Sequence, residues 1–209
     1  MSSAKKLAIF DFCGTIFKHQ SPDLFADYVA EKNFRTKMLQ HLCNYLAKTR
    51  KYNGLPHKKV KLYKIKGKSN DELRAKAAEF VEKIILKDLI PQVATELDKY
   101  LNCSDYDVVI ASGGYNIYLE YFCKLKNIPY LISTNIEVVD NIATGKIDGL
   151  DCFGSNKLIK LNKLIDVGKY DLANSICFSD SMSDKPLFNL VANKVFVAKS
   201  GDTYTLTNI

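Results

Sequence analysis

Four short stretches of the chain carry side chains able to move a phosphoryl group. Asp11 follows the apolar run 7–10 and precedes Phe12-Cys13-Gly14-Thr15. Ser112-Gly113-Gly114 follows a second apolar run, Lys157 follows Gly154-Ser155-Asn156, and Asp180 and Asp184 bracket Ser181-Met182-Ser183. Together they offer a nucleophilic carboxylate, a small hydroxyl among glycines, an ammonium and further carboxylates. Asp11 and Asp180 can supply the hard oxygen ligands that Mg²⁺ prefers. A helix opening at Ser112-Gly113-Gly114 would turn its N–H groups and positive dipole end toward phosphate oxygens. Lys157 would offset charge on the transferring group, the main source of catalysis in this chemistry. Taken singly, these are also an ordinary cap, turn or surface lysine. Their order along the chain, each after the strand that could present it, gives them weight.

The elements that must position them alternate. Apolar runs bounded by turn residues at 6–10, 107–111, 130–132, 175–178 and 194–197 predict buried strands. Helical spacing fills the intervals, as in Val93, Leu97, Tyr100 and Leu101, in Ile117, Tyr118, Tyr121, Phe122 and Leu125, and in Leu158, Leu161, Leu164 and Ile165. This alternation predicts an α/β fold, a doubly wound and mostly parallel sheet covered by helices. In such sheets ligands lie beyond the carboxyl ends of the strands, where the four stretches fall.

Residues 18–90 interrupt the pattern and predict an inserted helical cap, with the core formed by 1–17 and 91–209. Ser21-Pro22 predicts a helix start, with Ser21 as N-cap. Met38 to Leu46 and the stretch after Ser69-Asn70 predict two more helices. The alternation from Lys59 to Lys66 predicts an exposed strand or loop. The insertion holds 17 Lys and Arg against 8 Asp and Glu, a balance of +9, while the remainder balances to −2.

The quoted motifs resemble those of the haloacid dehalogenase superfamily, in its phosphoserine-phosphatase-like branch with a helical cap between the first and second motifs. The run 7–15 resembles the first motif, Val108 to Tyr115 the second, Cys152 to Lys157 the lysine motif, and Phe178 to Asp184 the acidic motif. Thr144-Gly145-Lys146-Ile147-Asp148-Gly149 resembles the branch's hairpin. The resemblance implies that Asp11 becomes an aspartyl-phosphate beside Mg²⁺ held by Asp11, the carbonyl of Cys13, and Asp180. It also implies that Ser112 and Gly113, with Thr15 and Ser183, bind the phosphoryl group. Lys157 would pair with Asp11 and the phosphate, and Asp184 would orient the metal site.

One position departs from the family pattern. Cys13 stands where these phosphatases carry the aspartate that protonates the leaving oxygen and then activates water. A thiol, with an ordinary pKa of ~8.5 against ~3.9 for aspartate, is a donor but a poor base near neutrality. Hydrolysis of the aspartyl-phosphate is therefore the step expected to suffer. A slow phosphatase, a phosphotransferase to an alcohol and a binding protein that kept the site all fit. The stretch Phe17-Lys18-His19-Gln20-Ser21 lacks the acidic residue with which the family reads the amino group of phosphoserine. A more anionic sugar or polyol phosphate suits the basic insertion better, and His19 is placed to touch it.

The chain has 209 residues and a formal net charge of +7. Its composition excludes disordered, collagenous and coiled-coil classes. No apolar run approaches the ~20 residues that span a bilayer. Six cysteines without a CxxC pair, and no export signal, lead us to expect reduced thiols and a cytoplasmic location. The expected partner is a small phosphorylated substrate. A nucleic-acid or other polyanion partner, docking on Lys59, Lys61, Lys64 and Lys66, is the less supported alternative, and no motif indicates an oligomeric state.

Overall fold

The computed structural model describes residues 4–30 and 61–209. In chain order it contains β1 (Lys6–Phe10), α1 (Ser21–Val29), α2 (Asn70–Lys83), α3 (Pro91–Leu101), β2 (Tyr106–Tyr115), α4 (Asn116–Lys126) and β3 (Tyr130–Val139). There follow β4 (Ile142–Asp148), α5 (Ser155–Leu164), β5 (Ile176–Ser179), α6 (Lys185–Phe188), β6 (Asn193–Ser200) and β7 (Thr203–Asn208). One seven-stranded sheet runs β4-β3-β2-β1-β5-β6-β7. The five inner strands are parallel, and β4 and β7 close the edges antiparallel.

The first strand shows why its sequence reads as one apolar run. Leu7, Ala8, Ile9 and Phe10 are all fully buried because β1 is central and covered on both faces. Successive side chains of a strand point to opposite faces. Leu7 and Ile9 accordingly join Val109, Ala111 and Leu161, while Ala8 and Phe10 join Val108, Ile110 and Phe178 on the other side. Phe10 stacks on Phe178 across two neighbouring strands at 4.5 Å between ring centroids.

The chain leaves and re-enters the sheet layer through paired segments. The Ile90 amide donates to the Ile16 carbonyl at 2.8 Å, the Lys18 amide donates to the Asp88 carbonyl at 3.0 Å, and Phe17 and Leu89 form an antiparallel bridge. Beyond this crossing, α2 starts where Ser69 caps it by accepting the Glu72 amide at 3.1 Å. Its buried face is Leu73, Ala77, Phe80 and Val81. Phe80 meets Phe25 of α1 and Tyr118 of α4 at 5.4 and 5.5 Å between centroids, largely edge to face. Such pairs add to plain burial.

Four expectations need correction. Residues 61–66 are not a strand: Lys64 and Ile65 donate their amides to Lys61 and Leu62 carbonyls at 3.0 and 3.1 Å, which is a helical turn. Lys61 and Lys64 are buried there, Lys64 paired with Asp27 and Lys61 3.6 Å from the same carboxylate, so no lysine-bearing strand face forms. The second correction is that α4 begins at Asn116, and Ser112-Gly113-Gly114 belongs to the end of β2. Third, Gln20 rather than Ser21 is the N-cap of α1. Fourth, β7 had no counterpart in the predicted strands, although Tyr204 and Leu206 alternate with threonines behind the Gly201-Asp202 turn. The expected helix at Met38 to Leu46, together with Lys59, lies outside the described residues. Among the described residues no helix is long and apolar enough to cross a membrane, and none of the five cysteines is in a disulfide.

Truncating Phe80 to alanine empties the contact between α1, α2 and α4. Its expected cost is about 3–5 kcal/mol in urea unfolding, whereas Leu125→Ala on the exposed face of α4 should change stability by about 0.5 kcal/mol or less.

Candidate active site

All four stretches meet at the carboxyl edge of the sheet. Asp11 is the first residue past β1, and its amide donates to the Phe178 carbonyl of β5 at 2.9 Å, which fixes the backbone where the two strands part. Asp180 is the first residue past β5. Thr15 ties the two loops together: its hydroxyl accepts the Asp180 amide at 3.0 Å and lies 3.4 Å from Asp11 Oδ2 and 3.3 Å from Asp180 Oδ1. Gly14, at φ +78°, makes the fit possible, because a Cβ there would sit 2.1 Å from Asp180 Oδ2.

Lys157 arrives from the first turn of α5, and a polar knot sets its approach. Thr134, midway along β3, donates to Asp151 Oδ1 at 2.7 Å and accepts the Cys152 amide at 3.0 Å. Asn156 donates to the Asp151 carbonyl at 2.9 Å, and Gly154 caps the helix. The ammonium then reaches Asp11 Oδ1 and Asp184 Oδ2, each at 2.7 Å. Ser179 donates to the same Asp184 oxygen at 2.7 Å. Asp184 Oδ1 is buried with no hydrogen-bond partner.

The charges do not balance without help. Burial works against the Lys157 ammonium, but Asp11 and Asp184 more than offset it and hold the group above its ordinary pKa. Asp180 is pushed up to about 6, by burial first and then by the charge of Asp11. Burial likewise raises Asp184, against the opposing pull of Lys157. Among the described residues three clustered carboxylates meet one cation, Lys157, which leaves the site short of positive charge. Asp11 and Asp180, both within reach of one threonine hydroxyl, offer oxygen donors only, which fits a hard divalent ion rather than a soft one. Among the described residues no three His, Cys, Asp or Glu side chains converge as a metal cluster.

A cavity of about 210 Å³ opens over Asp11, Cys13, Gly113, Lys157, Asp180 and Ser183. Of the residues expected to hold phosphate, Gly113 and Ser183 reach its wall. Ser112 and Thr15 stand behind it, fully buried. The Ser112 hydroxyl accepts the Gly114 amide at 2.9 Å and so shapes the turn. The Cys13 thiol is pushed up to about 11, by burial and then by Asp11. Gln20 and Pro22 of the inserted segment and Phe153 at the mouth also line the cavity, and motif reading missed all three. Gln20 and Pro22 belong to the helix start that the Ser-Pro signal located, but nothing in that signal says that it faces the carboxyl edge of the sheet. A second cavity of about 450 Å³ adjoins the first at Gln20 and Asp180, and Lys18, His19 and Lys199 line it.

Comparison with known proteins bears on the family and the fold. The family profile described as haloacid dehalogenase-like hydrolase matches residues 8–189. A phosphoserine phosphatase of Methanocaldococcus jannaschii is 24% identical over 204 residues, covering 95% of this chain and 89% of its own. The fold is similar to that of a Bordetella pertussis Tohama I protein of unknown function, at TM-score 0.79 and 22% identity, over 92% of this chain and 89% of that one. It is also similar to a phosphoserine phosphatase solved with an analogue of its phospho-aspartyl intermediate, at TM-score 0.62 and 19% identity, over 92% and 86% of the two chains.

Replacing Lys157 by methionine keeps the bulk and strands two buried carboxylates. Breaking a buried pair in this way is expected to cost about 3–5 kcal/mol in urea unfolding at neutral pH. An unchanged midpoint would show that the ammonium does not hold the site together.

Proposed function

The chain belongs to the haloacid dehalogenase-like hydrolase family, and on that premise we propose that it is a Mg²⁺-dependent phosphomonoester hydrolase working through an aspartyl-phosphate on Asp11. The observation that carries this reading is the Lys157 ammonium 2.7 Å from Asp11 Oδ1, at the floor of a cavity crowded with carboxylates. Asp11, Asp180 and the Cys13 carbonyl would hold Mg²⁺. The ion would supply the positive charge that the three carboxylates lack and would draw charge from the phosphoryl oxygens.

The chain's own groups divide the work. An Asp11 oxygen bonds to phosphorus as the bond to the leaving oxygen breaks, and that oxygen takes a proton from the Cys13 thiol. Lys157 and the Gly113 backbone face the transferring group, while Asp184 and Ser179 keep Lys157 in place. Water then attacks phosphorus, the bond to Asp11 breaks, and the proton of the water returns to the sulfur. A thiol raised to about 11 donates readily only to a strongly basic alkoxide, and once solvent has reprotonated the thiolate left behind it seldom stands ready as a base. The second half-reaction is therefore the slow one, and an alcohol seated in the cavity would compete with water for the phosphoryl group.

The helices of residues 18–90 act in this reading as a cap, because Gln20 and Pro22 form part of the cavity wall. The cavity holds about seven water-sized volumes at ~30 Å³ each, enough for a phosphoryl group and a few carbons. Gln20 offers an amide where an ammonium would call for a carboxylate. Lys18, His19 and Lys199 in the adjoining cavity favour a further anionic group. A small sugar or polyol phosphate fits these features better than phosphoserine.

Asp11→Asn is expected to abolish turnover of p-nitrophenyl phosphate, and chelation with EDTA to do the same reversibly; unchanged rates in the variant would assign the activity elsewhere. Cys13→Asp restores a carboxylate base and should raise phosphate release by about tenfold or more, within the 10²–10⁴ span of acid–base catalysis. A folded, Mg²⁺-binding variant with lower activity would overturn the role given to Cys13.

A further inference from the structure

A hydrogen-bonded chain runs from the start of α4 to the cavity, and its direction follows from counting hydrogens. The Tyr115 amide donates to the Tyr118 phenolic oxygen at 3.0 Å. That oxygen lies 2.8 Å from Ser21 Oγ, which lies 3.1 Å from Cys13 Sγ. Ser21 and Tyr118 are fully buried, and Cys13 lines the cavity. The phenol has its oxygen occupied by the amide and one hydrogen left to place. Ser21 Oγ is the acceptor within reach, so Tyr118 donates to Ser21. The Ser21 hydroxyl must then use its own hydrogen on Cys13 Sγ. The reverse order, with the thiol donating to Ser21 and Ser21 to Tyr118, leaves a phenolic hydrogen buried without an acceptor. A buried donor left in that way bears its desolvation cost with nothing to offset it.

We infer that Ser21, oriented by Tyr118, is a positioning residue that makes the Cys13 sulfur an acceptor on its buried side and so turns the thiol hydrogen into the cavity. The inference rests on the phosphatase reading above and gives the thiol a defined task within it. When the leaving oxygen takes the thiol hydrogen, the sulfur that remains already holds a hydrogen bond from Ser21. Water in the second half-reaction returns the proton to the same position. The relay also accounts for Gly114, where a Cβ would stand 2.6 Å from the Tyr118 hydroxyl and displace it. It further explains why Ser21, in the first turn of α1, does not cap its helix.

A directed donor matters for a poor leaving group and hardly at all for a good one. For Ser21→Ala we expect kcat/KM, which reports the step that expels the leaving group, to fall about tenfold or more with glycerol 2-phosphate. With p-nitrophenyl phosphate it should change less than about twofold. Ser21→Thr, which keeps the hydroxyl, should recover most of the loss. In a Cys13→Ala background Ser21→Ala should have no further effect. Equal losses on both substrates, or a loss that persists without the thiol, would overturn the inference and leave Ser21 a packing residue. Neutron diffraction of the deuterium-exchanged protein gives a readout free of turnover. The deuteron of Ser21 should lie toward the sulfur and that of Cys13 toward the cavity, and the opposite pattern would refute the relay. Inactivity of the wild-type protein toward both phosphates would defeat the phosphatase reading, while the neutron map would still decide the direction of the chain.

Discussion

One buried ammonium organises the carboxyl edge of the sheet. Lys157 joins Asp11, from the loop after β1, to Asp184, from the loop after β5, and each of these carboxylates would be costly to bury alone. Such bridges add little net stability over apolar packing, and they tie their members to one geometry because any partner left behind is uncompensated. The polar knot of Thr134, Asp151 and Asn156 therefore acts at a distance: it aims α5 so that one nitrogen reaches both acids. The third acid, Asp180, is held beside Asp11 through Thr15, and among the described residues no cation pairs with it. That imbalance is the electrostatic reason for reading the site as one built around a divalent ion.

The carboxyl edge of the sheet forms one side of the cavity, and the start of α1 forms another. The paired crossing at 16–18 and 88–90 places α1 with its first turn at the cavity. Aromatic contacts of Phe25 and Phe80 with Tyr118 keep that turn against α4. Because Tyr118 shares a hydrogen bond with Ser21, the packing that seats α1 also sets the hydrogen bonding of Cys13. A change in the position of α1 would thus be felt at the thiol, which links closure of the cavity to readiness for proton transfer.

Much of this was legible in the residues themselves. Central parallel strands are buried on both sides, so their apolar runs announced β1, β2 and β5 and placed Asp11 and Asp180 at their tips. Lys157 was identifiable only through the motif order, since a lysine behind Gly-Ser-Asn is by itself an ordinary surface residue. What failed to show depends on contacts distant in sequence. Lys61 and Lys64 read as exposed cations because their partner Asp27 lies more than thirty residues earlier. Ser21 read as a cap because short-range rules assign a serine before proline to the helix end, whereas its hydroxyl is engaged by Tyr118, 97 positions away.

The central claim is that the Asp11 carboxylate accepts a phosphoryl group. Crystals grown with Mg²⁺ and fluoroberyllate, a mimic of that group, test it most directly. The account predicts beryllium bonded to an Asp11 carboxylate oxygen with Lys157 beside the fluorides. A well-ordered cavity in which Asp11 stays unmodified at saturating fluoroberyllate would contradict it.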